Sequence, residues 1–149
     1  MDAPLLTDDF REFLKSLNAN HVEYLLVGGY AVGLHGYPRA TIDLDVWVRP
    51  ERGNARRVIL ALRSFGFEAA TLNESLFIKS ESLVRFGVPP FRIEIMTAID
   101  GVKFNGCHDR AVKFDLDGLV VPVISLTDLK VNKRAAGRHK DLNDLENLP

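Results

Sequence analysis

The sequence predicts an α+β fold: a mixed β-sheet with helices packed on it, closed by C-terminal helices. Three observations predict it. Apolar residues recur at helical spacing in some segments and alternate in others, and the two kinds are interleaved along the chain. Spacings between strand-like segments after residue 73 are too short for helical crossovers throughout, which argues against a doubly wound sheet. The 149 residues, 46% hydrophobic and 26% charged, suit one domain with a core of its own rather than a disordered, collagen-like or coiled-coil chain. We expect a single domain over 1–149, its core over about 22–124 and its last helices over about 125–148.

The elements follow in order. Thr7-Asp8-Asp9 ahead of Phe10, Phe13, Leu14 and Leu17 reads as a capped amphipathic helix ending near Asn20. Glu23 to Val27 is a short apolar strand, broken by Gly28-Gly29, and Tyr30 to His35 is a short helix. Thr41 to Val48 is the clearest strand. Pro50 opens a helix through Arg63, with Val58, Ile59 and Leu62 buried and Gly66 as its stop. Ser75–Ser80, Ser82–Phe86 and Phe91–Met96 read as strands. Lys113–Asp117 and Leu119–Ile124 form a hairpin about Gly118. Ser125 caps a helix that Gly137 ends, and Leu142, Leu145 and Leu148 give the last helix an apolar stripe.

Composition narrows the function. Nineteen Lys and Arg against twenty Asp and Glu give a net charge of -1, which excludes a surface given over wholly to nucleic acid but allows a local basic patch. The single Cys107 excludes an internal disulfide and an all-cysteine zinc site. The Met-Asp-Ala-Pro start lacks a basic, apolar leader, and the apolar stretch Tyr24–Leu34 carries three glycines. A cytoplasmic protein with no membrane partner is expected.

The chemistry is concentrated in Thr-Ile-Asp-Leu-Asp-Val-Trp-Val. Alternation puts Ile42, Leu44, Val46 and Val48 on one face and Thr41, Asp43, Asp45 and Trp47 on the other. The two carboxylates lie about 6.6–7 Å apart along the strand. Their repulsion is on the order of 2.5 kcal/mol at an effective dielectric of about 20. A divalent cation such as Mg²⁺ turns that cost into attraction, and Asp43→Asn should leave the metal-free protein at least as stable. In Phe-Arg-Ile-Glu-Ile-Met, Arg92, Glu94 and Met96 share a face. If the two strands are neighbours in register, Glu94 joins Asp43 and Asp45, a set suited to a two-metal site. Upstream, Leu26-Val27-Gly28-Gly29-Tyr30-Ala31 is a strand running through two glycines into a helix, a turn that lets backbone N–H groups approach a phosphate.

Gly28-Gly29, thirteen intervening residues and then Asp43-Leu44-Asp45 resembles the nucleotidyltransferase signature of the DNA polymerase β-like superfamily. The form Arg39-Ala40-Thr41-Ile42-Asp43-Leu44-Asp45, with the C-terminal run from Lys133 through Arg138 and Asp141 to Asp144, is similar to the abortive-infection toxin branch of small prokaryotic nucleotidyltransferases. The resemblance covers about residues 22–48, 91–96 and 120–148. It implies a nucleotidyltransferase-type core that moves a nucleoside monophosphate from a triphosphate such as ATP to an acceptor hydroxyl, with pyrophosphate release. Mg²⁺ (or Mn²⁺) would be held by Asp43, Asp45 and Glu94, the triphosphate by Gly28 and Gly29, with Lys133 reaching phosphates. Arg138, Asp141 and Asp144 would place the last helices. Glu94 departs from the commoner aspartate, which lengthens the third arm. The acceptor could be an RNA or tRNA end, a protein or a small alcohol, and a cognate antitoxin or other partner chain could be involved.

Other residues carry two readings each. The cations Lys130, Lys133, Arg134, Arg138 and Lys140 form a phosphate-facing patch or a solvated helix end. Arg39, in the loop ahead of the acidic strand, steadies a triphosphate or lies at the surface, and Thr41, on the carboxylate face of that strand, is a candidate nucleotide-binding residue. His35 touches a base or phosphate, or caps a helix. Trp47 stacks on a nucleobase or packs the end of the sheet. Cys107 and His108, adjacent in sequence, point apart and make no nucleophile–base pair. The alternative to an enzyme is a catalytically silent nucleotide-binding or toxin–antitoxin partner module of the same fold. A glycosyltransferase would need subdomains for which 149 residues leave little room.

Overall fold

The computed structural model describes residues 6–41, 43–68, 70–87 and 92–149. Ile42 of the expected apolar face and Phe91 of the expected strand lie outside them. The chain opens with helix α1 (Asp8–Ala19), where the Thr7 hydroxyl accepts from the Phe10 amide at 3.2 Å and Phe10, Phe13, Leu14 and Leu17 are buried. Strand β1 (Tyr24–Val27) is buried throughout and runs into helix α2 (Gly28–Leu34). Strand β2 (Asp43–Val48) follows, then helix α3 (Arg52–Phe65), which stops at the left-handed Gly66. After β3 (Leu83–Phe86) and β4 (Arg92–Met96) come helix α4 (Phe104–Asp109) and the hairpin β5 (Val112–Leu116) and β6 (Leu119–Val123). Helix α5 (Leu126–Ala136), capped by Ser125, and helix α6 (His139–Asn147) complete the fold.

The six strands form one mixed sheet in the order β3-β4-β2-β1-β6-β5. β1 pairs antiparallel with β2, β3 with β4 and β5 with β6, whereas β2–β4 and β1–β6 are parallel. The fold is therefore α+β with a mixed sheet. Both parallel pairs join strands distant in sequence, and these pairings flank β1 and β2 at the centre. Leu44, Val46 and Val48 are fully buried on one face of β2. Asp43 and Asp45 lie half-buried on the other, where Trp47 packs edge-on to Phe104 of α4 at 5.2 Å.

Three expectations are corrected. Ser75–Ser80 is no strand: a 3-10 turn occupies Glu74–Phe77, started by Asn73, whose side-chain oxygen accepts from the Ser75 amide at 3.0 Å. That local bond offers the backbone an alternative to a ladder, and it lets Phe77 reach the core. Helix α4 was not expected, because only Phe104 and Cys107 mark its buried side. On α6 the Leu142, Leu145, Leu148 stripe does not form the buried face. Leu142 is 49% exposed and Leu145 half-buried, Leu148 is buried just past the helix end, and within the helix Asp141 and Asp144 are the buried residues.

Asn54 in the first turn of α3 clips the central strands together. It accepts from the Glu23 amide at 2.7 Å and donates to the carbonyls of Glu23 at 2.9 Å and Arg49 at 3.0 Å. Those groups flank β1 and β2, and Asn54 itself is fully buried. Truncation would orphan polar backbone away from water. Asn54→Ala should therefore lower stability by about 2–4 kcal/mol in urea denaturation; a loss below about 1 kcal/mol would mean that water takes over the amide's role.

Candidate active site

The register of β2 against β4 builds the site. Asp45 lies opposite Glu94 and Asp43 opposite Arg92, so all four side chains share one sheet face. Val27, the last residue of β1, pairs with Asp45, which brings the glycine turn to the same place. Gly28 has φ +67°, and a Cβ there would fall 2.0 Å from the Asp45 Oδ2, so both the turn and the close approach demand glycine. A Cβ on Gly29 would fall 2.4 Å from the Thr41 hydroxyl oxygen. Thr41 itself donates to the Asp43 carbonyl at 3.3 Å.

A cleft of about 620 Å³ opens over this corner, lined by Gly28, Gly29, Arg39, Asp45, Glu94, Lys133, Arg138 and Lys140 among others. It brings together seven of the nine residues singled out in the sequence. Asp43 and Thr41 stand outside its lining.

The acids differ in what they face. Asp43 is gripped by Arg92 through a two-pronged fork, with Nε to Oδ1 and Nη2 to Oδ2 both at 3.0 Å. Arg85 of β3, opposite Glu94 in the β3–β4 register, donates to Glu94 Oε1 at 3.0 Å, and the Arg92 Nε lies 3.7 Å from the same oxygen. Asp45 has no ion-pair partner among the described residues. Burial pushes its carboxyl up to about 7, and the negative charges of Glu94 and Asp43 add to the shift while Lys140 opposes it. The expectation that Asp43→Asn leaves the metal-free protein unharmed is therefore corrected. Arg92 neutralises Asp43, and the repulsion settles on Asp45.

Among the described residues, no three Asp, Glu, His or Cys side chains form a ready-made metal-ligand set. Asp45 and Glu94 do fit a hard divalent ion. They are carboxylate donors set opposite each other, and one is a partly buried acid with no ion-pair partner among the described residues. Asp43 fits only if Arg92 lets go.

The C-terminal motif resolves into a charge network. The Lys133 ammonium is buried between Asp141 Oδ1 and Asp144 Oδ2, each at 3.0 Å. Asp144 also takes both prongs of Arg39 at 2.8 and 2.9 Å. Asp141 accepts from the Arg138 side chain at 2.7 Å and from its backbone at 3.1 Å. Burial raises the two aspartates, but hydrogen bonds from Arg138 and Arg39, with those from Lys133, hold both below the usual carboxylate range. Lys133 touches the cleft, yet a phosphate would have to compete with two carboxylates for it. Its place is to tie α5 to α6, and through Asp144 to the loop carrying Arg39.

Several side features resolve plainly. The His35 ring bonds the Ile124 carbonyl at 2.6 Å, pinning the end of α2 to the end of β6. Cys107 is fully buried, its thiol pushed up to about 11 by burial and by Asp128, and His108 stacks on Phe104. Trp47 is buried. Arg92 and Arg85 are the residues that sequence reasoning missed. Alternation already put Arg92 on the carboxylate face, but the partner of Arg85 required the strand order.

No family model matches the chain. No curated protein matches it either. Solved structures do. A Thermotoga maritima protein provisionally assigned as a nucleotidyltransferase superposes with a TM-score of 0.61 at 17% identity, over 91% of this chain and 87% of the other. An antigenic nucleotidyltransferase-like protein of Paracoccidioides brasiliensis gives 0.56 at 18% identity, over 97% and 77%. Among the described residues no helix is long and apolar enough to cross a membrane.

Two measurements check this electrostatic picture. The raised Asp45 acid binds a proton more tightly folded than unfolded, so in chelator the protein should lose stability as pH rises from about 4 through 7. Asp45→Asn should flatten that slope and raise the melting temperature at pH 8; an unchanged pH profile would contradict it. Lys133→Ala removes the buried cation shared by Asp141 and Asp144, leaving each with its arginine alone, and should cost about 2–4 kcal/mol in chemical denaturation. A cost below about 1 kcal/mol would place Lys133 outside the structural network. What the chain resembles in three dimensions is the nucleotidyltransferase fold.

Proposed function

We propose that the chain is a metal-dependent nucleotidyltransferase, moving a nucleoside monophosphate from a triphosphate to an acceptor hydroxyl with release of pyrophosphate. The observation that carries this reading is the β2–β4 register. It sets Asp45 opposite Glu94 where the Gly28-Gly29 turn meets a cleft walled by Arg39, Arg138 and Lys140. Acids on one wall and cations on the other suit a polyanion that comes with a divalent ion. The ion, Mg²⁺ or Mn²⁺, would be held by Asp45 and Glu94 with Asp43 beside them, and would supply charge neutralisation at the reacting phosphate.

The chain's own residues do the rest. Gly28, lacking a Cβ, keeps the turn open beside Asp45, and Gly29 extends it toward Thr41. Arg39, fixed by Asp144, and Lys140 add positive charge on the facing wall, while Lys133 and Arg138 hold that wall in place through Asp141. In the transfer, the acceptor oxygen bonds to the α-phosphorus as the bond to the pyrophosphate oxygen breaks. The acceptor's proton passes to a carboxylate of the Asp45–Glu94 pair. Positioning and electrostatics supply most of the rate. The acceptor class is an RNA or tRNA end, a protein or a small alcohol.

One observation favours the second reading, a silent nucleotide-binding or toxin–antitoxin partner module. The Arg92 fork already satisfies Asp43. Incubation with α-labelled triphosphates, Mg²⁺ or Mn²⁺ and cell extract decides between them. Label transfer that chelator removes, and that Asp45→Asn lowers at least 100-fold, is the expected result. Thermal stabilisation by triphosphate, about 2.7 kcal/mol at 100-fold its Kd, with no transfer to any acceptor would establish the silent module.

A further inference from the structure

Arg92 has a place in this site that the carboxylate pattern does not explain. Its guanidinium sits opposite Asp43 because the two residues are register partners on adjacent parallel strands. Both Asp43 oxygens are taken, at 3.0 Å each, in the two-pronged geometry that guanidinium and carboxylate share. The pair is only partly open to solvent, with the Asp43 side chain 24% exposed and that of Arg92 32%. The nearest other acid for Arg92 is Glu94, at 3.7 Å, and Glu94 is already engaged by Arg85.

We propose, resting on the nucleotidyltransferase reading above, that Arg92 is a permanent cation of the site: it keeps Asp43, so that a single divalent ion binds, on Asp45 and Glu94. Charge counting supports one ion over two. Three carboxylates face two guanidinium groups, so one carboxylate is left over, and it is Asp45, which has no ion-pair partner among the described residues. One divalent ion reverses that deficit and leaves the corner mildly positive for a triphosphate. Two would crowd both arginines with like charge on a face of three acids. The backbone register also opposes release, since it holds the two α-carbons as neighbours and leaves only side-chain rotation to separate them. Arg92 is thus a positioning residue that sets the number of metal ions.

Mn²⁺ binding tests this without recourse to activity. The protein with one equivalent of a non-hydrolysable ATP analogue is titrated with Mn²⁺ and followed by electron paramagnetic resonance. The wild type should saturate at one ion per chain with the spectrum of isolated Mn²⁺. Arg92→Gln should free Asp43 and admit a second ion, giving two per chain and the signature of a spin-coupled pair. Arg92→Lys, which keeps a cation opposite Asp43, should stay at one. A coupled pair in the wild type overturns the proposal while leaving the nucleotidyltransferase reading intact, and that result needs no variant to fold. One ion in Arg92→Gln likewise overturns it. Absence of bound Mn²⁺ from all three proteins overturns the proposal together with the metal-dependent reading.

Discussion

Acidic side chains fixed side by side by a backbone ladder cannot move apart to relieve their repulsion, and this constraint organises the corner of the molecule where the cleft lies. The hydrogen bonds between β2 and β4 hold Asp45 against Glu94 and keep Asp43 one pleat away. The protein meets the excess charge in two different ways. Asp43 and Glu94 receive guanidinium partners from the same sheet, Arg92 and Arg85. Asp45 receives none among the described residues and responds by holding its proton far above the normal carboxylate range. A residue that raises its own acid constant in this way lowers the stability of the fold around it, and a core would gain from an apolar residue there. Such a cost is commonest where a ligand later removes it.

The opposite wall of the cleft obeys the reverse rule, with every buried charge matched. Lys133, Asp141 and Asp144 are almost wholly out of solvent, and Arg39 and Arg138 close the ring from the more exposed side. Burying three charges is expensive unless each is hydrogen-bonded, and here each is. The network fixes the angle between α5 and α6 by directional bonds where most helix pairs rely on apolar packing. It also fixes Arg39, 105 residues away from Asp144 in sequence. The two walls thus combine a strained acid and a rigid cationic scaffold.

How much of this is legible in the chain depends on the range of the interaction. Within one strand, alternation suffices: Leu44, Val46 and Val48 are buried, and Asp43 and Asp45 face away. Within one turn, local chemistry suffices, as Thr7, Gly66, Ser125 and Gly137 each cap the helix they flank. The glycine pair and the acids are adjacent in space because β1 and β2 are antiparallel neighbours, and their spacing hints at it. Reading fails where two distant elements bargain over one group. The side-chain cap at Asn73 overrides the apolar pattern of Ser75–Ser80. Lys133 recruits Asp141 and Asp144 onto the inner face of α6, which displaces the leucine stripe that periodicity suggests. The grip of Arg92 on Asp43 emerges only when the register is known.

The dependence of the cationic wall on α6 has an effect in time as well as in space. A ribosome makes the glycine turn and the acidic strands long before it makes Asp141 and Asp144. Until those two aspartates emerge, Lys133 has nowhere to bury its charge and Arg39 has no anchor. The nascent chain therefore carries half a cleft, and the whole one forms only after α6 is translated, a built-in delay between synthesis and competence.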